Sequence, residues 1–176
     1  IGASFRADDI ENQLWHAPDR IRLTAKAHAL IHERSNSIYA NEVFRFNSHF
    51  RLEAGLRYDY FIFDVEDLLP TDSIHSNYSG YNYQSALNPK LNFIYTSSSK
   101  LKFFMNVGSG FHSNDARAVV QTKTHQLPLA LSAEIGTLFH IKKNVVSAAL
   151  WGMDLSNELV YVGDDGTTED KGSSRR

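Results

Sequence analysis

Apolar and polar residues take turns from Phe50 onward. Phe50, Leu52, Ala54, Leu56, Tyr58, Tyr60 and Ile62 share one parity, and Arg51, Glu53, Gly55, Arg57 and Asp59 share the other. Period two places the two sets on opposite faces of a strand. The spacing predicts one strand over residues 50–65, far longer than the usual five or six residues. Six further segments show related patterning: 1–12, 30–46, 85–97, 100–110, 129–142 and 144–162. Leu101, Phe103, Met105 and Val107 oppose Lys102, Asn106 and Gly108, and Leu131, Ala133, Ile135 and Phe139 oppose Ser132, Glu134 and His140. In the last segment Trp151, Met153 and Leu155 oppose Gly152, Asp154 and Ser156. Phe61 and Phe63 break parity, and the first segment is weakly patterned.

Connections alternate in length. Asn47–His49, Thr96–Lys100 and Lys142–Asn144 are short, whereas the others run about 17, 20 and 18 residues after Asn12, Val65 and Gly110. Loops that long are unusual inside compact soluble domains. Strands of about nine residues or more, apolar on one side and polar on the other, joined by alternating tight turns and long loops, describe a transmembrane β-barrel. Aromatics near strand ends (Phe44, Phe46, Phe50, Tyr60, Tyr95, Phe139) suit its interfacial girdles. The competing reading is a soluble β-sandwich or lipocalin-like barrel that binds a ligand or partner through its loops.

Composition narrows the function. A formal net charge of −2 offers no basic field for nucleic acid. The longest apolar run, Val145–Trp151, is broken by Ser147 and far short of the roughly 20 residues of a membrane helix. With no cysteine, an oxidising compartment is permitted without being indicated.

Enzyme chemistry finds little support. In His112-Ser113-Asn114-Asp115, strand neighbours point oppositely and no oxyanion device accompanies them. His28 and His32 lie four apart; on a strand they share a face about 13 Å apart, too far for one metal ion. The acidic run Asp164–Asp170 lacks EF-hand spacing, and Gly108-Ser109-Gly110 lacks a phosphate-binding pattern, so no metal or cofactor is expected.

Four stretches in order, SIYANEVFRF (37–46), RLEAGLRYDYFIFDV (51–65), ALNPKLNFIYTSSSKLKFFMNVGSGFHSNDAR (86–117) and AALWGMDLSNELVYVGDDGTTE (148–169), resemble the C-terminal barrel of TonB-dependent outer-membrane receptors. The resemblance implies an all-β, antiparallel up-and-down meander, about seven long strands of a barrel of about 22 in the bacterial outer membrane. It implies a transporter, not an enzyme, importing a scarce nutrient such as a ferric siderophore. Its partners would be lipid, an N-terminal plug, TonB and the ligand. The chain is then expected to be an excerpt of one barrel segment, lacking plug and last strands, whose open sheet edges favour self-association.

The resemblance turns the charged row Arg51, Glu53, Arg57 and Asp59 toward the plug; the plainer reading is a solvated face with cross-strand pairs. Ligand contacts are expected from the long loops, at His112, Asn114, Asp115 and Arg117, at Trp15, His16 and Arg20, and at Tyr81. Arginine and tyrosine suit anionic or aromatic ligands. Locally, Ser113, Asn114 and Asp115 also suit bonding to their own backbone where strand gives way to loop.

Overall fold

The computed structural model describes residues 1–70, 77–112, 115–122, 127–162 and 167–176. Seven long strands follow one another: β1 (Gly2–His16), β2 (Thr24–Arg45), β3 (Phe50–Asp67), β4 (Gly80–Thr96), β5 (Leu101–Phe111), β6 (Leu129–Ile141) and β7 (Asn144–Leu155). Helix α1 (Ala116–Thr122) lies between β5 and β6. A small hairpin of β8 (Leu159–Val162) and β9 (Thr167–Asp170) follows, and β10 (Ser174–Arg175) then pairs with β7. Each long strand pairs antiparallel with its chain neighbour, so the sheet is one meander curved into a half-barrel. Among the described residues no second sheet packs over it, as a sandwich would require.

Strand ends depart from the sequence expectation in one direction. β1 to β4 run further toward the long connections, and the 22 residues of β2 make it the longest. Their hairpin tips remain extended because adjacent ladders satisfy the backbone well past the apolar stretch, up to His16↔Thr24 and Ala29↔Asp67. The expected strand 144–162 instead stops at Leu155, and Leu159–Val162 belongs to the small hairpin.

The turns at the other end are chemically specified. Asn47 Oδ1 accepts the N–H groups of His49 and Phe50 at 2.8 and 2.9 Å, closing an Asx turn. Only Lys142 and Lys143 separate Ile141 from its partner Asn144, and Lys142 takes φ 54°, as two-residue hairpin turns require.

Cross-strand partners define two faces. The outer face carries Ile38, Leu56, Leu87, Leu91, Met105, Ile135 and Leu150, with Leu87, Leu91, Ile135 and Leu150 at least half exposed. An apolar sheet of this extent left bare in a monomer calls for an apolar surrounding. Near the tight turns Phe50 stacks on Tyr95 at 4.7 Å and Tyr95 on Phe103 at 6.3 Å. Toward the other end Tyr60 meets Tyr83 at 6.2 Å. Phe50 to Tyr60 is roughly 33 Å along the strand, and a tilt of about 40° brings this to roughly 25 Å, the height of a lipid-facing band.

One face assignment is corrected. Trp151 pairs with Glu134, which shares its face with Asn106 and Lys102, so Trp151, Met153 and Leu155 turn inward; Val146, Ala148 and Leu150 take the outer row. The tight turn uses two residues, not three, and a one-residue difference exchanges the faces of a whole strand.

Candidate functional site

Along β3 the inner row reads Arg51, Glu53, Gly55, Arg57, Asp59, Phe61, Phe63, Val65, and it changes character halfway. In the lower half Asp59 is fully buried. Its carboxylate accepts Ser37 Oγ at 2.7 Å and Arg57 Nε and Nη2 at 2.9 and 2.7 Å, while Arg57 Nη2 also reaches Ser37 Oγ at 2.9 Å. Asn88 of β4, buried and paired across the ladder with Arg57, lies beside this group. A buried carboxylate persists only when its lone pairs are filled. The Arg57 side chain is half exposed, so Asp59 holds in place a guanidinium that is still reachable from the half-barrel interior.

Nearer the tight turns Arg51 pairs with Glu53, Asn92 reaches Glu53 at 3.4 Å, and Asn106 donates to Glu134 at 3.0 Å. Gly55 leaves the room in which Asn41 and the Lys90 stem lie; a Cβ there would overlap both. The result is a wall of amides and paired ions facing inward. Exposed pairs of this kind are worth about 0–1 kcal/mol each, so a polar surface resting on them is held by many weak contacts.

The upper half of the row is a small core. Ala29, Ile31, Phe63 and Val65 bury themselves against Ala116, Val119 and Val120 of α1, with Phe61 and Leu127 alongside. The off-parity phenylalanines are therefore a seat for the chain after β5. Phe61 also meets Phe111 edge-on at 5.5 Å. Asn82 Nδ2 donates to the Val119 carbonyl at 2.8 Å, satisfying an end of α1 that has no intrahelical partner.

Asp115 stands just before α1. Its Oδ1 accepts the Arg117 N–H at 2.9 Å, and its carboxylate takes Arg117 Nε and Nη2 at 3.0 and 2.5 Å. Burial alone would push the Asp115 carboxyl up, but the Arg117 guanidinium and the N–H groups of Arg117 and Ala118 outweigh it and hold it below the ordinary aspartate value. Asp115 and Arg117 are thus engaged with each other and with the helix start, as the local reading of this stretch anticipates.

The remaining candidates scatter. Asn114 lies outside the described residues, as does Ser113. His112 is exposed just past β5. Trp15 and His16 belong to strand β1, not to a loop, because the β1–β2 ladder continues to His16↔Thr24. Trp15 Nε1 donates to Gln13 Oε1 at 3.0 Å, and the Arg22 guanidinium sits 5.6 Å from its ring. Arg20 closes the hairpin tip with φ 66°. Tyr81 is in β4, opposite Asp64 and on the outer face with Tyr83 and Leu87, so it joins the upper aromatic girdle and not the interior. His28 bonds Glu11 at 2.8 Å and His32 bonds Asp9 at 2.6 Å, two separate pairs on the outer face. Residues the sequence reading missed are Ser37 and Asn88, ordinary alone, and the α1 seat.

The wall thus has two faces, polar amides inward and an apolar band of membrane height outward, with α1 folded to the inside. The family model described as TonB dependent receptor-like, beta-barrel matches residues 2–175. The chain belongs to this family. Among solved structures, the crystal structure of the ferric-catecholate import receptor Fiu from K12 E. coli, in its closed form, is similar with a TM-score of 0.60 and 18% identity. At that identity the likeness shows the fold alone. It covers 86% of this chain and 25% of Fiu, so the chain spans about a quarter of the receptor's length. No curated protein matches. TonB-dependent receptors are transporters and not enzymes.

Proposed function

We propose that this chain is a wall sector of a receptor that takes up a scarce nutrient, such as a ferric siderophore or comparable metal chelate, across the bacterial outer membrane with energy delivered through TonB. The observation that carries the reading is the division of one sheet into an apolar outer band about 25 Å high and an inner wall of amides and ion pairs. In the intact receptor the inner row, Arg51, Glu53, Arg57 and Asp59, meets a polar plug. Weak, wet contacts let that plug shift without a large barrier, and Arg57, oriented by Asp59, is the strongest of them. Asp115 and Arg117 hold α1 in its seat, and His112 stands at its rim. Trp15 and Arg20 on the projecting β1–β2 hairpin suit first contact with an anionic or aromatic chelate.

The test is uptake of radiolabelled iron from a panel of ferric siderophores by cells with and without the full-length gene, and by cells lacking TonB. The expected result is loss of uptake for one chelate class in both mutants. Unchanged uptake across the panel, or a protein absent from the outer-membrane fraction, would sink the reading.

A further inference from the structure

The ladder between β4 and β5 stops halfway. Lys90↔Gly108 is its last rung, although β4 continues to Gly80. Backbone direction explains the stop. The Thr96 N–H donates to the His49 carbonyl on the β3 side at 2.8 Å, and the Ser97 N–H to the Leu101 carbonyl on the β5 side at 3.0 Å. Backbone groups of successive residues point to alternate sides of a strand, so the odd-numbered residues of β4 address β5. Pro89 is the first of them above the last rung, and it has no N–H to give. Beyond it the carbonyls of Leu87, Ser85, Tyr83 and Tyr81 and the N–H groups of Leu87, Ser85 and Tyr81 face no strand among the described residues. The Tyr83 N–H is taken locally by Asn82 Oδ1 at 2.8 Å. A sheet edge of about 27 Å thus runs from Pro89 to Tyr81 within the wall.

Native edges are ordinarily blunted by charged side chains. Gly80–Leu87 carries none, and Pro89 limits the edge only at its lower end. Its inner side is shut. Val120 lies where a Cβ on Gly80 would stand, and Asn82 Nδ2 holds the Val119 carbonyl of α1. Its outer side is open. Tyr81 and Tyr83 are exposed there, at and above the upper girdle. Asp64, directly across from Tyr81, and Glu66 beyond it are exposed and make no ion pair among the described residues. Only an extended backbone matches donors and acceptors that recur about every 7 Å. Cationic side chains on its outward row would meet the tyrosine faces with the two carboxylates behind them.

We propose that the free edge Tyr81–Ser85 takes up an extended, basic segment of another protein as an added strand. The edge belongs to this chain alone; the membrane reading above enters only in placing the partner outside the cell.

The probe is a short peptide of alternating lysine and valine, titrated by fluorescence anisotropy into the full-length receptor in mild detergent. Its fully N-methylated form keeps the charges and has no N–H left. Binding is expected for the first and about tenfold or more weaker for the second, the equivalent of one lost hydrogen bond of about 1.4 kcal/mol. Ser85→Pro removes a donor that no neighbouring strand uses and is expected to weaken binding by a similar factor; Asp64→Asn should weaken it about threefold. Heat-dependent mobility in electrophoresis checks that each variant forms its barrel, and Asp64→Asn keeps the test open if Ser85→Pro does not. Hydrogen exchange gives a second readout: the Tyr81 and Ser85 amides should exchange fast in the free receptor and slowly with peptide bound. Equal binding of the two peptides would overturn the proposal in favour of charge attraction alone, as would no binding, or undiminished binding to Ser85→Pro. Slow exchange of both amides in the free receptor would overturn it too, because the receptor's own chain would already cover the edge. A receptor missing from the outer-membrane fraction would overturn the membrane reading and the outward placement of the partner, a failure visible apart from the titration.

Discussion

Two halves of one row on β3 are built for different neighbours. From Arg51 to Asp59 the charged inner side chains are mutually paired, and Arg51, Glu53 and Arg57 keep an edge open while Asp59 is buried under Arg57. From Phe61 to Val65 they are apolar and closed over by α1. Backbone, ladder and curvature are continuous through both, so the difference lies in the side chains alone. A polar wall suits a cover that comes away, since water replaces each lost contact at little expense. An apolar seat suits a cover that stays, since lifting α1 exposes Phe63 and Val119 together, each worth about 1.5–3 kcal/mol when buried. We read α1 as a fixed inward part of the wall.

The contrast is most exposed to test at Arg57. Arg57→Ala leaves the buried Asp59 carboxylate with the Ser37 hydroxyl as its remaining described donor, and the barrel's urea stability is expected to fall by about 3 kcal/mol, at the low end for a broken buried pair because the arginine is half exposed. Adding Asp59→Leu to that variant should recover most of the loss; no recovery would mean the pair itself, and not the stranded charge, carries the stability. In the upper half, Val119→Asp should detach α1 at an expense of about 2–3 kcal/mol, read as rapid proteolysis within 112–128 with the barrel's own unfolding midpoint unchanged. If the barrel midpoint falls as well, the seat is part of the wall's stability and the two halves are less independent than described.

Asp115 gives a smaller and pH-dependent effect. Its folded pKa lies below the ordinary value of about 3.9, so its contribution is complete above that pH and fades as pH falls through the folded value. The protection factors of the α1 amides, corrected for the intrinsic pH dependence of exchange, should therefore be flat from pH 5 to 8 and drop in acid. Asp115→Asn should remove the acid dependence and about 1 kcal/mol of protection. Arg51→Gln is the smallest: its pair is only partly buried, and a loss under about 1 kcal/mol of urea stability is expected.

Much of the wall was legible because period two is a strong signal when only one face is greasy, as in Leu52–Ile62. β7 resisted because Val145, Val146, Ala148, Ala149, Leu150 and Trp151 are apolar on both parities, so the pattern names no face. The Lys142-Lys143 turn did name one, since a two-residue hairpin fixes which side Asn144 takes. The seat of α1 was half written in the chain: Ala116, Val119 and Val120 keep helical spacing behind a capping Asp115, and Phe61, Phe63 and Val65 sit on the wrong parity for lipid. Neither half means much until the fold brings them together. The Ser37–Arg57–Asp59 group was out of reach, because it joins two strands across positions whose residue types are common on any polar face.

The 22-residue β2 has a last consequence. Only its lower part lies within the apolar band; from Asn36 up to Thr24 it climbs roughly 40 Å along the strand, or about 30 Å at barrel tilt. In the orientation proposed, the β1–β2 hairpin stands above its surroundings like a mast. Antibodies, phage tails and competitors' toxins would meet Asp19 and Arg20 before any other described residue, and an epitope tag inserted between those two should be readable on intact, unpermeabilised cells.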